Sequence, residues 1–231
     1  MGTRRWILLA LFGKPSGPLG WVGARLLVRL ARPYYRAMAA ELRLQPDDDL
    51  LDVGCGSAGL LAEHASHVRY VAGVDASAIQ VGMARRRLAE RTAAGSAQIV
   101  LGDAGRLPWE NGRFSAVTSL NTLKFVPDPA AALREMCRVL RPGGRAVVTL
   151  GDSQHAHGGA TTGSGAPDAW GQRQWSDADA QRLMEAAGFA DVAVSVLAGG
   201  FQLVRGVKPG LRHQPELEQP DRVTNLRGQS S

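Results

Sequence analysis

The sequence predicts an α/β fold: a doubly wound, mostly parallel seven-stranded sheet with an antiparallel C-terminal strand, preceded by N-terminal helices. Three observations predict it. Five apolar strand candidates alternate with three helix candidates between residues 50 and 150. A glycine run, Gly54, Gly56 and Gly59, follows the first strand and opens the first of these helices. Two β-rich segments joined by the short linker "AGG" then close the pattern. Strands alternating with helices need crossover connections, and right-handed crossovers cover both faces of a parallel sheet.

The elements follow in order. "WILLALF", Trp6 to Phe12, comes after two arginines but is far shorter than the roughly twenty residues that span a bilayer. "GKPSGPLG" follows with no small-x-small cleavage site, so a short apolar helix or a membrane-surface contact is expected. In "LGWVGARLLVRLA" Leu19, Val22, Leu26 and Leu30 share one helical face, and Arg25, Arg29 and Arg32 line the other. Pro33 starts a second helix, "PYYRAMAAELRL", and "QPDDD" (45–49) is a loop. Strands are predicted over 50–53, 70–74, 97–101, 114–119 and 145–150, with helices over 60–66, 78–93 and 129–140. "RPGGR" (141–145) is a helix stop and turn before the fifth strand. The Gly/Ser/Thr-rich stretch 151–172 is a long loop, the kind of segment that serves as a lid or binding element. A helix capped by Ser176 and stopped by Gly188 leads to strands 191–197 and 201–206, an antiparallel hairpin. Three regions result: a basic helical segment 1–46, a cofactor-binding domain 47–206, and a polar tail 207–231 expected to be disordered.

Composition narrows the function classes. At 45% hydrophobic and 21% charged the chain is an ordinary globular protein. Residues 1–46 carry eight Lys/Arg against Glu41 alone, net +7, so the rest of a +6 chain is nearly neutral at −1. A basic arm of this kind meets phosphates, lipids or an acidic partner, or packs on its own domain. Cys55 lies in the glycine turn and Cys137 in a helix, which excludes a disulfide framework and points to a cytoplasmic setting. No cluster has metal-ligand spacing, so no metal is expected.

The chemistry starts at "LLDVGCGSAGLL", Leu50 to Leu61. Glycines at a strand end let backbone approach a ligand, and the helix start offers unpaired N–H groups. Those groups suit the pyrophosphate of NAD or the amino-acid end of S-adenosylmethionine, and the glycines alone leave both open. Asp75, ending the second strand, can take ribose hydroxyls in either case. Asp103, after the third strand, offers an acceptor for an adenine amino group, with Leu107 along the ring.

These signatures, followed by "FSAVTSLNTLKFVPDPAAALREMCRVLRPGGR", resemble the class I S-adenosylmethionine-dependent methyltransferases, in particular the small-molecule group called type 11. The resemblance runs from Asp52 to about Leu150 and implies S-adenosylmethionine as cofactor. It places Asp52, Gly54 and Gly56 at the methionine moiety, with Asp52 near its ammonium. It puts Asp75 and Ala76 at the ribose, Asp103 and Ala104 at the adenine, and Asn121 near the methyl group. Ala58 departs from the pattern, standing where the family usually has a third glycine. Lys124 and Phe125 stand where many members carry a histidine pair, so no base is evident there. The resemblance implies methyl transfer to a small-molecule acceptor, and the apolar, arginine-lined stripe of residues 6–32 points to an apolar, quinone- or lipid-like one. An NAD-linked oxidoreductase or a non-catalytic cofactor-binding protein is the alternative.

His155 and His157, in the loop after the fifth strand, are the candidate bases, since a titratable imidazole can take a proton from a hydroxyl acceptor. Trp170 and Trp175 can wall an apolar pocket. "SLNTLKF" replaces the N-P-P-Y motif of nucleic-acid methylation, so no nucleic acid is expected. The stripe of residues 6–32, with Trp6 and Trp21, suits a peripheral membrane contact or a lid, and packing onto the sheet domain competes with both. Nothing in the sequence sets the oligomeric state.

Overall fold

The structure is a computed structural model, and it describes residues 31–150, 164–167, 173–196 and 202–210. Its sheet has seven strands: β1 Asp49–Val53, β2 Tyr70–Asp75, β3 Ala97–Leu101, β4 Phe114–Ser119, β5 Leu140–Val148, β8 Ala190–Val196 and β9 Gln202–Val207. Their order is β3-β2-β1-β4-β5-β9-β8. All neighbours pair in parallel except those of β9, which runs antiparallel to both β5 and β8. The predicted fold class therefore holds, and the strand inserted beside β5 is the last one of the hairpin.

Central β1 is buried along its whole length, as an apolar run covered on both faces must be. On one face α1 (Arg32–Leu42) buries Tyr35, Met38 and Leu42 with Leu50, Leu61, Val147 and Leu203. Pro33 suits the first turn of this helix, which lacks N–H partners anyway. Arg32 and Arg36 pair with Glu63 on α2 (Gly59–His64) at 3.1 and 3.2 Å. On the other face α5 (Pro129–Val139) and α6 (Asp177–Ala186) bury Leu133, Met136 and Met184 against Val117, Val148 and Val204. Asp128 caps α5 by accepting from Ala131 N at 2.9 Å, and Ser176 caps α6 by accepting from Asp179 N at 3.1 Å.

Four local expectations change. The helix predicted over 78–93 is two, α3 (Ala78–Arg87) and α4 (Ala89–Ala93), because Leu88 leaves helical geometry and buries its side chain. "RPGGR" is not a turn ahead of β5 but a bulge within it. The register passes from Phe114↔Leu140 to Ala116↔Arg145, so β5 gains three residues on β4. Gly144 is required there, since a Cβ would lie 2.8 Å from Arg141 O. The long loop contains a small antiparallel pair, β6 (Ser164–Pro167) with β7 (Arg173–Trp175). His155, His157, Trp170 and most of the basic arm lie outside the described residues.

The fourth change is "QPDDD", whose last two acids are buried. Asp49 begins β1 at 2% exposure and accepts from Arg69 (2.9 and 2.7 Å), Arg113 (2.7 Å) and Arg141 (2.5 Å). Asp48 accepts from Arg145 (2.5 Å), Ser115 Oγ (2.6 Å) and Gln45 N (2.7 Å). Burial alone would raise both carboxyls. Hydrogen bonds from Ser115 and Arg145 to Asp48, and from Arg69 and Arg113 to Asp49, outweigh it and hold both below the usual carboxylate range.

Asp49→Asn strands three arginines around a neutral amide. It should cost about 3 kcal/mol in urea unfolding, the scale of a broken buried pair. The stability these depressed carboxyls supply is present above the unfolded pKa of about 3.9 and is lost as pH falls through the folded values below it. The acid side of the wild-type stability profile should therefore be steeper than that of Asp49→Asn. Superimposable profiles would show that the clamp contributes nothing.

Candidate active site

Strand order reverses between β1 and β4, and α/β sheets bind ligands at the carboxyl ends of strands where this happens. The ends of β3, β2, β1 and β4 stand there in a row roughly 14 Å wide, three strand spacings. That row carries Asp103, Asp75, Asp52 and Asn121.

The turn after β1 is built by backbone. Gly54 (φ +75) and Cys55 donate N–H bonds to Val74 O at 2.8 and 3.0 Å, closing the turn on β2. Gly56 (φ +52) donates to Asp75 Oδ2 at 2.8 Å, while Ser77 N donates to Asp75 Oδ1 at 2.8 Å. Asp75 thus ties together the two turns that flank the site. Ala76 beside it is exposed.

The three glycines have three different reasons. A Cβ on Gly54 would lie 2.0 Å from Thr122 Oγ1, so this glycine first admits the segment after β4, and only then a ligand. A Cβ on Gly59 would lie 2.6 Å from the Tyr35 hydroxyl, so this one admits α1. Above Gly56 the nearest atom is Gln80 Oε1 at 4.0 Å, which leaves an open cradle ahead of α2. Ala58 takes the left-handed conformation (φ +59, ψ 42) that the missing third glycine would supply, fully buried.

Asp52 is 4% exposed and pairs in register with Thr118, whose Oγ1 donates to Asp52 Oδ1 at 2.9 Å. Burial, with a smaller push from Asp75 and against the Thr118 hydrogen bond, raises its pKa to about 7. No cationic group is hydrogen-bonded to it among the described residues. A buried carboxyl in this state gains from a bound cation. The Tyr35 hydroxyl, buried and close enough to sense Asp52, is pushed up to about 12.

The other candidates sit at the rim. Asn121 is exposed and left-handed (φ +57), its N–H held by Thr149 Oγ1 at 2.7 Å. Asp103 is exposed and accepts from Gly105 N at 2.9 Å, a turn-forming bond. Ala104 packs against the core, and Leu107 is buried with its N–H on Glu135 Oε2 at 2.8 Å. Glu135 in turn holds Arg138, which donates to the carbonyls of Leu107 and Trp109 at 3.0 and 2.8 Å and fixes this loop to α5. Lys124 is buried in the 3-10 turn Leu123–Phe125 beside exposed Phe125, and Trp175 is buried. Among the described residues no three His, Cys, Asp or Glu side chains converge on a metal position.

Tyr35, Thr118, Thr122 and Thr149 also build the site and were not singled out from sequence. Thr118 had a legible signal, a polar residue inside the apolar strand "FSAVTS". Tyr35 had none, because its contact crosses from a helix that precedes the motif.

This arrangement is that of a nucleotide-cofactor enzyme, and comparison with known proteins selects the cofactor. The Methyltransferase domain family matches residues 51–148. A demethylmenaquinone methyltransferase of Mycolicibacterium gilvum is 37% identical over 191 residues, covering 74% of this chain and 80% of that protein. The 37.1 kDa protein in transposon TN4556 of Streptomyces fradiae is 40% identical over 121 residues, and the chain spans only 34% of its length. Geranyl diphosphate C-methyltransferase of Streptomyces coelicolor, solved with Mg2+, geranyl-S-thiolodiphosphate and S-adenosyl-L-homocysteine, shares the fold. Its TM-score is 0.63 at 21% identity, over 86% of this chain and 84% of that one. The chain belongs to the S-adenosylmethionine-dependent methyltransferase family. It is a methyltransferase with S-adenosylmethionine as cofactor, and the NAD-linked alternative falls away.

Ala58 allows a test of the turn. Its left-handed backbone costs roughly 1–2 kcal/mol. Replacement by glycine removes that strain but frees the unfolded chain by about 0.5–1 kcal/mol and loses a buried methyl worth about 0.8 kcal/mol. These nearly cancel, so Ala58→Gly should unfold in urea within about 1 kcal/mol of wild type. Ala58→Val, β-branched at positive φ in a filled site, should lose at least about 2 kcal/mol. A valine variant as stable as the parent would remove the strain argument.

Proposed function

We propose that the protein transfers the methyl group of S-adenosylmethionine to an apolar small-molecule acceptor with a quinol-like ring. The observation that carries the reading is the match to a demethylmenaquinone methyltransferase across 80% of that protein's length. When bound, the cofactor supplies a methyl already activated by its sulfonium, so the protein's work is alignment and exclusion of water.

The residues then take these roles. Asp52, buried and without a cation of its own, holds the cofactor ammonium. The Gly56 cradle receives the carboxylate end, near the N–H groups that open α2. Asp75 and Ala76 border the ribose; Asp75 has one lone pair committed on each oxygen and others free for hydroxyls. Asp103 and Ala104 border the adenine, and Asn121 faces the transferred methyl. His155 and His157 remain the candidate bases for a hydroxyl proton.

The basic arm supports the same reading. An apolar ring acceptor partitions into membranes, and residues 6–32 combine an apolar stripe with arginines, a pattern that binds anionic lipid surfaces. No helix among the described residues is long and apolar enough to cross a membrane. Incubation with isotopically labelled S-adenosylmethionine and reduced demethylmenaquinone in anionic vesicles should yield the labelled, methylated quinol with release of S-adenosyl-L-homocysteine and a proton, and high salt should slow it. Absence of label in vesicles and in detergent alike would refute the acceptor.

Cofactor binding should depend on pH through Asp52. Below its pKa of about 7 the carboxyl is protonated, and binding a cationic ammonium must expel that proton. Affinity should therefore fall as pH drops below about 7, approaching tenfold per unit. The cofactor's own amino group titrates near 8, so pH 5.5 to 7, both approximate limits, is the informative window. Calorimetric titration should show protons released at the acid end. Asp52→Asn should bind more weakly and with a flat profile; an equally steep profile would mean that another group titrates.

A further inference from the structure

Beyond the β4 end of the row of strand ends lies a buried amide outside the candidate site. Gln202 begins β9 at 2% exposure. Its Nε2 donates to Asp177 Oδ1 at 2.6 Å, and its Oε1 has no hydrogen-bond partner among the described residues. An ionised carboxylate only accepts, so the amide NH2 must face Asp177 and the oxygen must face away. The orientation is thus set by chemistry. A buried amide oxygen without a donor is uncommon and costly, and such exceptions in native proteins point to a role.

Its place in the fold indicates the donor. β5 ends at Val148 opposite Val204, and Gln202, two residues before Val204 on antiparallel β9, lies beyond that pair on the carboxyl-end side of β5. The end of β4 is tied to that row, since Asn121 N donates to Thr149 Oγ1. Gln202 is therefore two strand spacings, about 10 Å, from the strand end that carries Asn121. It lies on the side of the sheet away from Asp52, Asp75 and Asp103. Two residues from Val204, it shares that residue's face of β9, the face whose core holds Leu150, Trp175 and Met184. Those neighbours are apolar and offer no donor except the Trp175 ring N–H. Gln80 Oε1 is also unpaired, but no carboxylate pins its amide, and it lies over the Gly56 turn.

We propose that Gln202 is an acceptor-recognition residue: its Oε1 takes a hydrogen bond from a hydroxyl of the methyl acceptor, and Asp177 fixes it in that orientation. The inference rests on the quinol-like reading only in the choice of ring. A site built to accept a hydrogen bond rejects an analogue without the hydroxyl more strongly than an apolar pocket rejects one with it.

The test uses the full chain saturated with S-adenosyl-L-homocysteine. Reduced naphthohydroquinone and its dimethyl ether are titrated into wild type, Gln202→Met and Gln202→Leu, with melting temperature as the folding check. Wild type should prefer the diol by about tenfold or more, the scale of one hydrogen bond to a buried group. Either variant should bind both compounds alike, with unchanged affinity for S-adenosyl-L-homocysteine. A wild type without diol preference, or a folded variant that keeps it, overturns the assignment. Turnover of reduced demethylmenaquinone is measured separately. No turnover with the diol preference intact would refute the acceptor proposed above and leave Gln202 in its role.

Discussion

The carboxylate of Asp49 is the point on which the sheet depends. It receives Arg69 from the segment leading into β2, Arg113 from the residue before β4, and Arg141 from the bulge of β5. Asp48 adds Arg145 on the far side of that bulge. Four strands are thereby aligned at the edge where the chain enters them. Parallel strands have no tight turn to set their register, so an ionic clamp at this edge does what a hairpin does for an antiparallel pair. Three residues further along β1 the alignment delivers Asp52 opposite Thr118 and next to Gly73. The geometry at the binding edge is inherited from charge pairing at the opposite one.

The two groups of acids are treated in opposite ways. Asp48 and Asp49 are buried but bonded to partly exposed arginines, and stay ionised below the usual range. Asp52 is buried with a single hydroxyl donor and is pushed up to about 7. Burial is common to all three, and the partners decide the sign. Four arginines pair the first two carboxylates, whereas no cation among the described residues is hydrogen-bonded to the third. Asp75 lies between these cases: its two oxygens accept from Gly56 N and Ser77 N and so organise the turns after β1 and β2.

Much of the fold was legible because its signals are local. Alternating apolar strands and helices gave the class, and the β4 and β3 bounds agree with the structure to the residue. The Ser176 cap was legible too, since it lies within one turn of the chain. The glycine turn and its following acid were legible for the same reason. "QPDDD" failed as a loop because three adjacent acids look solvated until arginines 20, 64 and 92 positions away are brought to one of them. "RPGGR" failed as a turn because a strand absorbs extra residues in a bulge only where a neighbour continues past it.

The sequence by itself determined the fold class and the glycine turn after β1, since both are written in spacings of a few residues, and its ordered motifs carried the resemblance to the family. Tertiary structure alone decided why the glycines are glycine. Gly54 makes room for Thr122 and Gly59 for Tyr35, both contacts between distant segments. It alone decided which acids are ionised, because that depends on how much water and which partners surround a carboxylate. It also decided that Gln202, a polar residue in a hairpin, is buried with its amide nitrogen on Asp177 and its oxygen without a partner among the described residues. Local patterns encode elements, whereas burial and pairing across the sheet exist only once the elements are packed.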